Sequence, residues 1–363
     1  MVKADALTLA EEGRAQFGVT KFADMTPAEF KAMLGYKPIA DTTTIAELDI
    51  RCVRSHICGA IFRLTLFPPV VPLCLPPHSH ELEAQRLNAP TAHDWTGNLT
   101  TAVKDQQQCG SCWAFSATEQ IESMGIQTGK FGREQTLSVQ QIVACDKVDQ
   151  GCNGGDTPTA YASVIKAKGI EDGKKYPYTA GGGKNGKCLF KEHEPVVTNI
   201  AAFNYVGKTN ETAMAAYVGQ TAPLSICVDA ESWQTYKSGL VGPKTCKTQL
   251  DHCVQVVGYD MTKVCYNLKN TVVRAEAVAP CKICSHHTHP APLYFSLSLS
   301  LSSRAHTHTH THTHTHTQTD YKYNYWKVRN SWNTDWGENG FIYVSMGYNT
   351  CGIATEPTTV TMA

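Results

Sequence analysis

Apolar and polar positions along the 363-residue chain fall into contrasting textures. Residues 1–49 are polar with helical periodicity. In FADMTPAEFKAML, Thr26 stands as an N-cap, Pro27 at the first helical position and Glu29 where it closes a capping box, which predicts a short helix. From Leu87 to Asp260 helical and strand-like stretches alternate, separated by Gly-rich turns. Ala117, Ile121 and Met124 recur at i, i+4 and i+7, so Cys112 is predicted at or just before a helix N-terminus. Leu250-Asp251-His252-Cys253 opens the apolar run VQVVGY, a predicted buried strand. YWKVR, just before Asn330, predicts another, and ordinary domain texture continues to the end of the chain.

Two tracts break this pattern. Residues 50–86 carry three cysteines and five clustered prolines with little usable period. Residues 261–320 contain an alternating Leu-Ser run at 296–303 and six His-Thr pairs at 306–317. Leu-Ser alternation is what a CT repeat encodes and His-Thr alternation what a CA repeat encodes. The Phe, Pro, Leu and Ser of 62–79 are residues of pyrimidine-rich codons. Both tracts therefore read as translated intron sequence; a spliced transcript running continuously through codons 50–86 and 261–320 would sink that reading. The alternative is a genuine low-complexity loop insertion.

Composition narrows the function classes. Basic and acidic side chains balance at 32 each, which argues against a binder of nucleic acid or anionic membrane. The run Gly59 to Pro77 carries Arg63 and five prolines and would make a poor membrane-spanning helix. Fifteen cysteines point to an oxidising compartment, and the odd number leaves at least one thiol free. Against that, MVKADALTLAEEGRAQ lacks the apolar core of a signal peptide. Asn98-Leu99-Thr100 and Asn210-Glu211-Thr212 are candidate glycosylation sequons for a secreted chain.

The strongest chemical signal is QQQCGSCWAFSATEQIESMG, residues 106–125. A cysteine at a helix N-terminus feels the positive end of the macrodipole, which favours thiolate, and a neighbouring histidine cation completes a nucleophile. Alone, Cys109-x-x-Cys112 reads equally well as a redox pair or half a zinc site. A lone His252 reads as a core histidine and a lone Asn330 as a turn residue. Taken together, the cysteine, a sheet-borne histidine and an amide to orient it make a nucleophilic constellation.

With these motifs the chain resembles the papain-family cysteine proteases, the cathepsin group. The resemblance implies an α+β, papain-like two-lobed fold: a helical left lobe carrying Cys112, a β-barrel-like right lobe carrying His252 and Asn330, and the active site in the cleft between. It covers a peptidase domain at 87–260 plus 321–363, with 50–86 and 261–320 as anomalous inserts. It implies Cys112 as nucleophile, His252 as general base and acid, Asn330 as the group orienting His252, and Gln106 as an oxyanion-hole donor. Trp332 would shield the His–Asn bond and Trp336 wall the leaving-group side. Gly154 and Gly155 would pair with substrate backbone. Asp156, Thr157, Cys227, Leu250, Cys253 and Glu356 would surround the subsite for the second residue before the scissile bond, with Glu356 at its floor, and Asp251 would also bind substrate.

The resemblance also implies disulfides Cys109–Cys152, Cys145–Cys188 and Cys246–Cys351, leaving Cys227 and Cys253 as buried thiols beside free Cys112. The other six cysteines lie in the two odd tracts. Gly18-x-x-x-Phe22-x-Asp24 with MTPAEF resembles the end of the family's inhibitory propeptide, with Thr20 where asparagine is usual, so 1–49 reads as a truncated propeptide fragment with too little surface to clamp the cleft. No cofactor or metal is implied. Cys281-x-x-Cys284 with His286, His287, His289 and the His-Thr run forms a rival metal-binding reading. The expected partners are peptide or protein substrates and propeptide-type or cystatin-like inhibitors, for a monomer in a lysosome- or vacuole-like compartment or outside the cell. The opposing expectation is an inactive homologue or mis-spliced product, disrupted by 261–320 where it enters the hairpin between the His252 and Asn330 strands.

Overall fold

The computed structural model describes residues 15–38, 89–191, 195–261, 265–266, 272–273 and 324–363. Nearly all of the two odd tracts, including Cys281, Cys284 and the His-Thr run, lies outside the described residues. The chain divides into two compact units, residues 1–262 with 321–363, and residues 263–320.

The helices of the larger unit are α1 (Pro27–Met33), α2 (Cys112–Gln127), α3 (Val139–Cys145), α4 (Thr157–Lys166) and α5 (Glu211–Gln220). The predicted capping box at α1 is present: Thr26 Oγ1 accepts from Glu29 N–H, and the Glu29 carboxylate accepts from Thr26 N–H at 2.8 Å. Ser138, Asp156 and Asn210 cap α3, α4 and α5 with side-chain oxygens. Residues 112–125 of α2 are all buried, so α2 is the central helix, enclosed by α3, α4 and the sheet.

The strands are β1 (Gln16–Phe17), β2 (Ala92–Asp94), β3 (Ile200–Tyr205), β4 (Leu224–Val228), β5 (Tyr236–Ser238), β6 (Leu240–Val241), β7 (His252–Asp260), β8 (Cys265–Tyr266), β9 (Val272–Val273), β10 (Tyr325–Arg329), β11 (Phe341–Ser345) and β12 (Thr358–Met362). β8 and β9 pair with each other in the smaller unit. In the larger unit an eight-stranded sheet runs β3-β12-β4-β7-β10-β11-β6, with β2 also on β7. The helices around α2 make one lobe and this sheet the other, which is the α+β arrangement the motifs imply.

β7 is the hub. Its first eight residues are buried, as its near-continuous apolar run requires of a strand covered on both faces. β10 lies antiparallel beside it, Tyr325 opposite Asp260 and Arg329 opposite Gln255, with a bulge between Lys327 and Val328. The tract between them therefore leaves and returns at adjacent strand ends, and the described part of the hairpin keeps its pairing.

Candidate active site

Cys112 is the first residue of α2 and is fully buried. Its Sγ accepts the backbone N–H of Cys253 at 3.3 Å. The Ser111 side chain before it makes no cap bond; its Oγ pairs with the Tyr178 hydroxyl at 2.9 Å, and that hydroxyl donates to the Gln106 carbonyl at 2.9 Å. Tyr178 thus ties the nucleophile turn to the segment carrying Gln106.

His252 begins β7 and Asn330 follows β10, so the antiparallel pairing of those strands brings the two side chains together. His252 Nε2 lies 2.8 Å from Asn330 Oδ1. Oδ1 also accepts the Ser331 N–H at 2.8 Å, which identifies it as the amide oxygen; Nε2 must then carry the ring proton. Nδ1 has no hydrogen-bond partner, so the neutral imidazole keeps a basic nitrogen for a thiol. Trp332 stacks on the imidazole with centroids 4.7 Å apart and planes 26° apart, keeping water from the His–Asn bond. Trp336 is fully buried and meets Trp332 edge-on at 4.8 Å.

The Gln106 carboxamide is held at both ends. Oε1 accepts from Ser331 Oγ at 2.7 Å, and Nε2 donates to the carbonyls of Cys109 and Met33, each at 3.0 Å. Ser331 therefore serves both Asn330, through its backbone, and Gln106, through its hydroxyl.

The Met33 carbonyl belongs to a segment that fills the cleft. β1 pairs with β5; Gln234 Nε2 donates to the Phe22 and Met25 carbonyls, both at 2.9 Å; and Phe22 and Phe30 pack on Trp332 with centroids 5.2 and 5.4 Å away. Beyond α1 the chain runs beside the candidate nucleophile. Gly35 N–H points at Cys112 Sγ, and Tyr36 N–H donates to the Asp251 carbonyl at 3.0 Å. Gly155 pairs in parallel with Tyr36, donating to the Gly35 carbonyl and accepting from Lys37 N–H, both at 2.9 Å. The expectation that residues 1–49 offer too little surface to cover the cleft therefore fails for 15–38. Backbone bonds at Gly35, Tyr36 and Lys37 and the packing of Phe22 and Phe30 on Trp332 cover it. Gly154, at φ +112°, turns the chain into this pairing with its α-carbon face against Gly35 and Lys37.

Burial under this segment pushes the Cys112 thiol up to about 12 and the His252 imidazole down to about 4. Both shifts favour the neutral thiol and imidazole while the cleft is covered.

The Tyr36 ring enters the acidic subsite. Its hydroxyl donates a short hydrogen bond to Glu356, which also accepts from Tyr205 at 3.2 Å. Glu356 is buried, which raises its pKa. The ligand atoms of Asp156, Cys227 and Glu356 lie within 4.8 Å of one another. Asp156 Oδ1 caps Thr157 N–H at 2.7 Å, and Thr157 faces Thr358 at 3.3 Å, behind the pocket. Leu250 packs at Gly352, and the Asp251 carboxylate accepts Ala230 N–H at 2.8 Å, so Asp251 meets the cleft through its backbone.

Three disulfides join the pairs named from the resemblance, Cys109–Cys152, Cys145–Cys188 and Cys246–Cys351. A fourth overturns the expected thiols at Cys227 and Cys253: these are bonded to each other, being directly opposed on β4 and β7 with Cα atoms 4.0 Å apart. Cys112 is the free cysteine among the described residues. Sequence reasoning missed Gly35, Tyr36, Tyr178 and Ser331. Ser331 alone had a signal, its place inside Asn330-Ser331-Trp332.

Comparison with known proteins identifies the family. The sequence profile described as "Papain family cysteine protease" matches residues 89–361. "Cysteine proteinase 1" of Dictyostelium discoideum is 32% identical over 362 residues, covering 96% of this chain and 79% of that protein. "Cathepsin F" of Drosophila melanogaster is 30% identical over 99% of this chain, which spans 45% of that longer protein. A solved digestive procathepsin L2 of Tenebrio molitor shares the fold at a TM-score of 0.66 and 23% identity, covering 99% of this chain and 88% of that one.

Proposed function

Since the chain belongs to the papain family of cysteine proteases, we propose that it is a cysteine endopeptidase working through Cys112, His252, Asn330 and Gln106. The observation that carries this reading is the Nε2–H bond of His252 to Asn330 Oδ1, which leaves Nδ1 as a base in a site holding one free thiol. Once residues 15–38 leave, water returns and the thiol can pass its proton to Nδ1. The resulting thiolate–imidazolium pair is stabilised by the α2 N-terminus. The thiolate attacks the scissile carbonyl carbon, and the oxyanion takes the Cys112 N–H and Gln106 Nε2, the donor that Met33 now occupies. The imidazolium protonates the departing amine and leaves a thioester; His252 then activates water to hydrolyse it. Asn330 keeps the ring in this orientation throughout.

The same pocket supports a specificity. Glu356 and Asp156 give the Tyr36 subsite an acidic floor among apolar walls, so it accepts a basic side chain as well as an aliphatic one. In Glu356→Ala, hydrolysis of peptides with Arg at that substrate position falls while that of peptides with Leu there is retained; an unchanged ratio removes the idea. The intact β7–β10 pairing and His252–Asn330 bond favour a working enzyme over a product disrupted at 261–320. Four disulfides suit a lysosome- or vacuole-like compartment or secretion, and among the described residues no helix is long and apolar enough to cross a membrane. Partners would be peptides, proteins and inhibitors that enter the cleft as residues 33–37 do.

The deciding experiment is alkylation by iodoacetamide at about pH 5 of the chain cleared of its first segment, mapped by cysteine, beside a peptide-hydrolysis assay. An ordinary thiol with a pKa of about 8.5 barely reacts there. Selective labelling of Cys112 with hydrolysis is expected. Silence in both refutes the reading.

A further inference from the structure

The Cys227–Cys253 bond stands between two functional groups. On one side Cys253 donates its N–H to Cys112 Sγ and adjoins His252, which itself faces Val228 across the ladder. On the other, Cys227 Sγ lies within 4.8 Å of carboxylate oxygens of Asp156 and Glu356, the acid that holds the Tyr36 hydroxyl. Both cysteines are fully buried. The bond joins residues already paired by the β4–β7 hydrogen-bond ladder, so strand pairing does not depend on it.

Resting on the peptidase reading, we infer that this disulfide is a specificity-determining wall of the Tyr36 subsite, and that the enzyme has a bonded and a reduced form with different preferences there. In the bonded form Cys227 has no proton to donate, so it does not compete with a basic or hydroxyl-bearing side chain of the substrate for the Glu356 carboxylate. An external dithiol converts it. One thiolate attacks a sulfur of the bond, the second resolves the mixed disulfide, and the reagent leaves as its cyclic disulfide. Two electrons and two protons pass to Cys227 and Cys253, which become thiols. Beside two carboxylates the Cys227 thiol stays protonated, because a thiolate there meets like charge. Its S–H then donates into the Asp156–Glu356 pair and competes with the substrate's donor. Reduction therefore turns the pocket from basic toward aliphatic side chains.

The test equilibrates the activated chain in dithiol buffers of graded potential, maps thiols by differential alkylation, and assays two peptides differing only in Arg or Leu at this position. Cys227 and Cys253 are expected to open together, and the Arg-to-Leu ratio of kcat/KM to fall about three- to tenfold along the same curve. In Cys227→Ala/Cys253→Ala the ratio is expected not to respond to potential. The inference is overturned if the ratio stays constant while the bond opens, if it shifts equally in the double variant, or if both cysteines are thiols in the untreated folded chain. Hydrolysis of neither peptide in any form overturns the peptidase reading and this inference with it; hydrolysis with an invariant ratio overturns the inference alone.

Discussion

Gly35 is where the covering segment is most exposed to a single substitution. A Cβ built there would lie 1.9 Å from the Gly110 carbonyl oxygen and 2.2 Å from its carbon, and both atoms are backbone of the turn before Cys112. No side chain can move aside to admit a methyl group, so Gly35→Ala unseats residues 33–37 while leaving the peptidase domain unaltered. What is lost can be counted. Three backbone bonds go, from Tyr36 to Asp251 and the two with Gly155, at about 0.5–1.5 kcal/mol each. The Tyr36–Glu356 bond, to an acidic group, adds about 1.5–3 kcal/mol. Together that is roughly 3–7 kcal/mol, or roughly two to five powers of ten in the equilibrium that uncovers Cys112. The assay is the rate of iodoacetamide labelling of Cys112 in the uncleaved chain against the same chain after removal of the segment. The substitution should raise the uncleaved rate by at least about a hundredfold, toward the ceiling set by the cleaved protein. A rate within about threefold of the parent would show that residues 33–37 do not control access to the thiol.

Further outcomes follow from the same geometry. Ser331→Ala removes the donor to Gln106 Oε1 and frees the carboxamide to rotate; kcat is expected to fall about five- to thirtyfold with KM unchanged, measured on one peptide. Gln106→Ala removes the side-chain oxyanion donor outright and is expected to cost about 10²–10³ in kcat, with Cys112 alkylation unaffected. Burial raises Glu119 and Asp251 to about 7 and Asp149 to about 6, so between their unfolded values near 4 and these values the folded chain holds protons that the unfolded chain has released. His252, held at about 4, works the other way below its unfolded value of about 6.5, but three carboxyls outweigh one imidazole, so stability falls as pH rises and the urea midpoint of the uncleaved chain should be higher at pH about 5 than at about 7.5. Glu119→Gln, which mimics the protonated acid, flattens the slope, so that its urea midpoint changes less between the two pH values than the parent's.

The proposed catalytic constellation was legible because its chemistry demands particular residue types beside local signals: a helix start after Cys112, a strand after His252, a strand before Asn330. The capping box at Thr26 and Glu29 was readable for the same reason, since its whole mechanism lies within four residues. What escaped depends on contacts between distant segments. Cys227 and Cys253 looked like surplus thiols because pairing requires the β4–β7 register, which no spacing reveals. Gly35 and Tyr36 carry no motif; they matter because α1, held by aromatic contacts to Trp332, delivers the chain behind it into the cleft.

β7 places His252 at its first residue and, nine residues on, meets the tract that ends at β10. At about 3.3 Å per residue, catalysis and connection stand roughly 25–30 Å apart on the same two strands. That separation makes the hairpin end a permissive insertion port. Foreign sequence, whether from a retained splice segment, a transposed repeat or a deliberately fused reporter, can be accepted there without selection at the catalytic end detecting it. Such a port lets the enzyme acquire appendages by accident and keep them for long enough to find a use.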